Sequence, residues 1–512
     1  MENVLLATMQ LLEDIKNVRS FKDSSQKLLD EFDKLDLEGR REYLLRIEKE
    51  YGNDVQKYMM LLSFLLEDNV KQEVVDAIDK CLEEGVFDYI YYLSCRIQYE
   101  ANLFIRGLDY DKRKHWISKQ KQIKKETSVL RNVFSEQLEW LPFDKRNNKK
   151  VIMFVSPLLS ERHAPTYKMI NLYSIMNKLG YDITVISINT ADIALATTKC
   201  LKNTYTYNSL YSQTGGFCQQ MAGVSVKGIH LEFTPENILH STNLLLDVVK
   251  ECNPLFCIEF GADDFLIDFC REITDIISFP MTTTTPANNA KIYLSVRKDV
   301  PQKWKAELPP QKQVLFVDYR DNIMVECPEE KKTFLEKNNN IMAVIVGNRL
   351  DDEVSEEFVE MLENVLEQIE ELIIVFVGEC KKLERRISER KYQDRFIFTG
   401  LVLNLEELTS SCDIYINTPR VGGASSARMA IKAGIPVITL PECDVAFNVG
   451  SDFCVSSISE MGERLIRYCR DKDYYRAHCE QIATKYIDKD DEYNQQAISQ
   501  LIDTICSIIK SE

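Results

Sequence analysis

No proline occurs in residues 1–141, no two cysteines are spaced as C-x-x-C, and only five histidines are present in 512 residues. The missing prolines remove the strongest helix breaker from more than a quarter of the chain. The 15 cysteines lie singly among apolar neighbours, which opposes a disulfide scaffold or a zinc ribbon and fits buried, reduced thiols. An excess of positive charge is missing too. With 63 Lys and Arg against 80 Asp and Glu, the net charge of -17 opposes a general nucleic-acid binder. No apolar run approaches the roughly 18 residues of a membrane span. The segment MENVLLATMQLLEDIKNV carries Glu2, Glu13 and Asp14 in place of the basic start of a signal peptide, so a cytoplasmic location is expected.

A hydrophobic content of 45% and a charged content of 28% are those of a folded chain, and its length predicts two or three domains. In residues 1–145, Leu, Ile, Val and Met recur at helical spacing between charged residues, which predicts an all-helical accessory domain. Leu28, Leu29 and Phe32, for example, share one face while Asp30 and Glu31 point away. The most basic stretch, DKRKHWISKQKQIKK, reads as a solvated helix face.

After the polar junction WLPFDKRNNKK, short apolar runs alternate with helical patterns, the signature of parallel sheets with crossover helices. Strands are expected near 151–156, 182–188, 255–260 and 277–283, and again near 341–346, 372–377, 395–398, 413–416 and 436–440. Two α/β halves follow, residues 146–310 and 311–512, with Pro301, Pro309 and Pro310 in the linker and KKTFLEKNNN opening the second half.

The most informative segment is DIYINTPRVGGASSARMAIKAGIPVITLPECDV, residues 413–445. A buried strand ends near Pro419, and Gly422 and Gly423 permit a sharp turn and close approach of a ligand. Ser425 or Ser426 is then placed to cap a helix, whose N-terminus attracts anions. Arg420, just before the turn, is positioned to add a bidentate contact. The same pattern also suits an ordinary capped turn without a ligand.

This run resembles the donor-phosphate loop of GT-B glycosyltransferases, and most nearly that of protein O-GlcNAc transferases and related bacterial glycosyltransferases. The resemblance implies an α/β fold of two Rossmann-like halves preceded by the helical domain. It also implies a nucleotide-diphosphate sugar, a UDP-sugar foremost, bound in the C-terminal half without a metal or other cofactor. Gly347, Asn348 and Arg349 resemble the G-R-L turn in which an arginine faces the diphosphate. Gly400, Val402 and Leu403 fall where a GT-B loop grips the base, and Asp444 where a side chain reaches sugar hydroxyls. The two glutamates found eight positions apart in many retaining members are replaced by Val421 and Met429. Either another branch of the fold is present or the loop has lost part of its role.

In the first half, His163 follows a strand end and is the acid/base candidate for catalysis. Asp263 and Asp264 are read as an exposed or acceptor-side pair, not as metal ligands. The implied activity is that of a hexosyltransferase or N-acetylhexosaminyltransferase acting on a protein or saccharide, with homo- or hetero-oligomer contact through the helical domain. A UDP-sugar 2-epimerase and a non-catalytic partner subunit remain the alternatives.

Overall fold

Aspartates punctuate the helical region. Asp36, Asp54 and Asp111 stand immediately before the helices Leu37–Tyr51, Val55–Leu65 and Lys112–Phe134, and each side chain accepts a backbone N–H of the first turn. These relations come from a computed structural model, which describes all residues except 15–17, 67–69, 107–109, 161–162, 197–208, 262, 282–284, 297–299, 318–339, 403, 421, 442, 484–490 and 512. Leu28, Leu29 and Phe32 are buried, as the helical spacing predicts. In the basic helix, Lys112, Arg113 and Lys114 are exposed, whereas Lys119 turns inward to Glu100 and Asp263.

The chain forms two compact units, residues 1–318 with 495–512, and residues 319–494. In the first unit an eight-stranded sheet is built from β1 (Asn147–Val155), β2 (Asp182–Asn189), β3 (Gly215–Met221), β4 (Val224–Glu232), β5 (Pro254–Phe260), β6 (Ile276–Phe279), β7 (Ile292–Ser295) and β8 (Gln313–Phe316). Their order is β3-β4-β2-β1-β5-β6-β7-β8, parallel except for the β3–β4 hairpin. β5 is buried along its whole length, as expected of a strand covered on both faces.

One apolar core joins the helical region to this sheet, from Val4, Phe32 and Tyr43 through Phe134 to Phe154 and Phe269. The Phe134 and Phe269 rings lie 6.1 Å apart. Packing therefore does not stop near residue 145. The expected linker prolines also belong to this unit: Pro301 is buried in the helix Val300–Glu307, and Pro309 and Pro310 lead into β8. The chain end differs similarly, because residues from 495 onward belong to the first unit and not to the second.

The second unit contains β9 (Ile341–Val346), β10 (Leu372–Val377), β11 (Phe396–Phe398), β12 (Ile414–Ile416) and β13 (Val437–Ile438), all parallel, in the order β11-β10-β9-β12-β13. Successive residues of β9 face opposite sides. Ala343 and Ile345 enter one core, Met342, Val344 and Val346 the other. This order reverses direction between β9 and β12, and the crevice outside the carboxyl ends of those two strands is where open α/β sheets bind ligands. Most of the junction KKTFLEKNNN lies outside the described residues.

Candidate functional site

Three turns meet at that crevice. β9 runs into Gly347, Asn348 and Arg349, β10 into Gly378, and β12 into Asn417, Thr418, Pro419 and Arg420, with Gly422 and Gly423 shortly after. The approach is close enough to exclude side chains. A Cβ on Gly347 would lie 2.5 Å from Arg420 Nη1, and one on Gly423 would lie 2.7 Å from Arg420 Nη2. Gly423 also has a φ of 106°, a left-handed conformation that glycine adopts without strain. The helix Ala424–Lys432 starts there, and the N–H groups of its first turn lack intrahelical acceptors.

Arg349 lies at the edge of this turn. Its side chain is 36% exposed and its Nε donates to Glu353 Oε1 at 3.1 Å, while a Cβ on Gly422 would be 3.7 Å from its Nη2. Asn348 is exposed beside it. Arg349, Asn348, Gly422, Gly423 and the helix N-terminus are thus brought together, as their order in the sequence implies.

Arg420 requires a correction. It is buried, not open to a ligand: Nε donates to Asn417 Oδ1 at 2.9 Å, Nη1 to Glu353 Oε2 at 2.9 Å and Nη2 to the Val346 carbonyl at 2.6 Å. Burial works against its charge, but Tyr415 and Glu353 hold the guanidinium protonated, above its ordinary range. Arg420 fastens the β12 turn to the end of β9. The serine cap is corrected as well, because the residue preceding the helix is Gly423 and no side chain caps it. Ser426 Oγ sits 2.8 Å from Tyr415 OH and donates to the Gly423 carbonyl at 2.9 Å, and Ser425 is the second residue of the helix.

Gly400 adjoins β10 through the bond from Gly378 N to its carbonyl, 2.9 Å long. Gly400, Leu401, Phe398, Gly378 and Cys380 line a recess of about 200 Å³. Val402 is half-buried at this turn, and Leu403 lies outside the described residues. Asp444 is buried at the start of the helix Asp444–Val449, next to Cys443, whose Sγ contacts Thr439 Oγ1 at 3.0 Å.

In the first unit, His163 directly precedes the helix Ala164–Lys178, and its Nδ1 lies 3.4 Å from Thr166 Oγ1. Burial pushes its pKa down to about 4, so the imidazole is neutral at pH 7 and a weak base. Asp263 is buried and Asp264 half-buried, which departs from the exposed alternative of the exposed or acceptor-side pair expected. Asp263 accepts from the backbone of Ala287 and Asn288 at 3.0 and 2.8 Å and pairs with Lys119, and Asp264 caps the helix Phe265–Cys270 and accepts from Ser156 Oγ at 2.6 Å. Both carboxylates are spent on holding strand-end loops.

No protein-family model and no curated protein matches the chain. Among solved structures, an O-GlcNAc transferase mutant from Thermobaculum terrenum aligns over 100% of this chain and 98% of its own, at 11% identity and a TM-score of 0.55. The chain has the GT-B fold. Sucrose-phosphate synthase from Thermosynechococcus elongatus (11% identity, 70% of this chain and 100% of the other, TM-score 0.49) and pneumococcal O-GlcNAc transferase GtfA in complex with UDP and GlcNAc (10%, 70% and 99%, TM-score 0.43) are further, weaker likenesses.

Within this GT-B fold, sequence reasoning missed Glu353. It is buried and ties both arginines, so it offsets one of the two positive charges at the crevice. Its only trace in the sequence is its position four residues after Arg349 on a helical turn. Also missed was His230, whose Nδ1 contacts Ser187 Oγ at 2.9 Å and whose Nε2 contacts Glu232 Oε1 at 2.8 Å, at the carboxyl ends of β2 and β4. Glu232 further accepts from Asn189 Nδ2 at 3.0 and 3.1 Å.

Proposed function

We propose that the protein is a glycosyltransferase that moves a sugar, a hexose or N-acetylhexosamine, from a nucleoside-diphosphate donor to a hydroxyl of a protein or saccharide acceptor. UDP is the favoured nucleotide. The observation that carries this reading is the meeting of Arg349, the Gly422–Gly423 turn and the N-terminus of the helix Ala424–Lys432 at the switch point between β9 and β12. Backbone N–H groups and a guanidinium aimed at one place stabilise the negative charge that develops on a departing diphosphate. The recess at Gly400 lies beside the neighbouring strand of the same sheet, where a base attached to that diphosphate has room.

No metal is needed for this role, since the helix dipole and Arg349 supply the positive potential. Calorimetry should therefore detect UDP binding that persists in a chelator. Loss of binding on chelation removes the metal-free part, and absence of UDP, GDP and CMP binding removes the donor-site reading.

One observation favours a second reading. Glu353 compensates much of the charge near the turn, and the catalytic candidate His163 is a weak base. A GT-B-like partner subunit that binds nucleotide without turning it over fits those facts. Sugar release from a UDP-sugar, followed by nucleotide product over many turnovers, separates the two.

A further inference from the structure

Charge is spread through most of the chain, but residues 203–226 contain no Asp, Glu, Lys, Arg or His. β3 lies inside that stretch and forms one edge of the eight-stranded sheet, with no strand beyond it among the described residues. The edge of a sheet presents unpaired N–H and C=O groups, which proteins ordinarily guard with lysine, proline, a bulge or a very short strand. The other edge strands, β8, β11 and β13, are short, with four, three and two residues. β3 has seven residues, GGFCQQM, without a charge or a proline, and its register against β4 is unbroken from Gly215 to Met221.

The turn fixes which way its backbone groups point. Ala222 and Gly223 have φ of 47° and 74°, the pair of left-handed residues in a two-residue type I′ hairpin. Met221 and Val224 flank that turn and exchange hydrogen bonds, so by alternation Gly215, Phe217, Gln219 and Met221 give their backbone groups to β4. Gly216, Cys218 and Gln220 direct theirs outward. These three residues share one face of the strand and all are exposed. The opposite face is occupied, because the Tyr211 ring stacks on Phe217 at 4.8 Å, its hydroxyl bonds to Gln219, and Met221 is buried. Lys227, opposite Cys218 on β4, is paired with Asp182 at 2.6 Å, so its charge is compensated.

We infer that β3 is the contact through which two copies of this chain associate, the two strands running antiparallel about a two-fold axis at Cys218. That axis sets Gly216 of each copy opposite Gln220 of the other and brings the two Cys218 residues together, so every outward N–H and C=O gains a partner. Cys218 is the middle residue of the outward set and of the strand, and a second copy therefore fits in register without a slip. A chain with a net charge of -17 can meet itself only where like charges do not oppose each other, and an uncharged edge is such a place. An isologous contact closes at two copies. A seven-residue strand is roughly 24 Å long and makes a smaller contact than the standard interface of about 800 Å² per partner, so the pairing is reversible. The inference does not rest on the transferase reading, since β3 lies in a different unit from the donor turns.

Cys218 is the one exposed cysteine among the described residues. In an antiparallel hydrogen-bonded pair the Cα atoms are about 5.5 Å apart, within the reach of a disulfide. In reductant, the full chain should sediment as a concentration-dependent mixture of monomer and dimer between micromolar and near-millimolar protein. Diamide should convert the dimer to a covalent one on a non-reducing gel. Cys218→Ser should abolish the covalent dimer and leave the reversible one. A side chain at residue 216 has room, because the nearest atom to a Cβ there is 3.9 Å away. Gly216→Lys combined with Gln220→Lys sets like charges across both outer pairs and should weaken association about tenfold. Gly216→Lys combined with Gln220→Glu sets opposite charges across them and should restore it.

Four outcomes overturn the inference: a monomer at every concentration, association beyond two copies, a diamide-linked dimer that survives Cys218→Ser, or equal association of the two charge variants. If a charge variant does not fold, sedimentation of the unaltered chain and the Cys218→Ser comparison decide by themselves.

Discussion

Arg349 and Arg420 carry the same charge and stand near the same turn, but the structure assigns them different work. Arg420 is inside, bonded through all three guanidinium nitrogens, whereas Arg349 spends its Nε on Glu353 and reaches the surface. Replacing Arg420 by Ala strands a buried Glu353 with half its pairing, so stability should fall by about 3–5 kcal/mol. Arg349→Ala should lower UDP affinity by about 1.5–3 kcal/mol, the scale of charge-assisted hydrogen bonds, with little change in melting temperature. Equal effects of the two changes on UDP affinity, with folding intact in both, would contradict this division. The sequence placed both arginines at the turn but could not separate them. What distinguishes them is Glu353, 67 positions upstream of Arg420, and the three-dimensional closeness of β9 and β12. Ser425 and Ser426 illustrate the same limit: a serine after two glycines reads as a cap, yet the helix already begins at Ala424, before either serine.

At the scale of elements, strands buried on both faces were legible because they are short, continuous apolar runs. β9 and β10 begin and end where the sequence predicts, and β1, β2 and β5 do so to within a few residues. The hairpin of β3 and β4 was not legible. GGFCQQM at the sheet edge is largely exposed and mostly polar or glycine, so it carries no strand signal. The helix pattern was equally readable, but its partner was not, because periodicity marks an apolar face without saying what covers it. Helices Tyr89–Arg106 and Lys112–Phe134 in fact bring charges into the first unit: Arg96 pairs with Glu126, Lys119 with Glu100 and Asp263, and His115 lies 3.0 Å from Asp79 and 3.2 Å from Glu100. Burial opposes a charge on His115, but Glu100 and Asp79 outweigh it and raise its pKa to about 9 from an ordinary 6.5. The sign follows directly. A raised folded-state pKa gives stability that is complete below pH 6.5 and is lost as the pH rises through about 9. The loss is on the order of 3 kcal/mol at most. Urea denaturation across that interval should show a steeper decline for the unaltered protein than for His115→Gln. Parallel pH profiles would mean that the imidazole is neutral in the folded state.

For the whole molecule, the chain order of the domains differs from their packing. A helical region, an α/β half and a second α/β half follow one another along the sequence, but the helical region shares its core with the first sheet, and residues 495–512 belong to that unit too. Removing residues 1–145 therefore exposes a core and is no test of an accessory role. The chain end is the cleaner place to cut. Along the last helix Ile498, Leu501, Ile502 and Ile505 are buried at helical spacing, and Lys510 Nζ lies 5.5 Å from the centre of the Phe143 ring. Four buried aliphatic side chains at about 1.5–3 kcal/mol each make this helix a large share of the stability of the first unit. The donor turns, by contrast, all lie within residues 319–494. Calorimetric melting of the full chain should resolve two transitions, and UDP should raise one of them, since a ligand stabilises only the unit that binds it. Truncation after Asn494 should lower or abolish the other transition and leave the UDP-sensitive one, with its UDP affinity, in place. A single transition that UDP shifts as a whole, or loss of UDP binding on truncation, would show that the two units depend on each other for their stability.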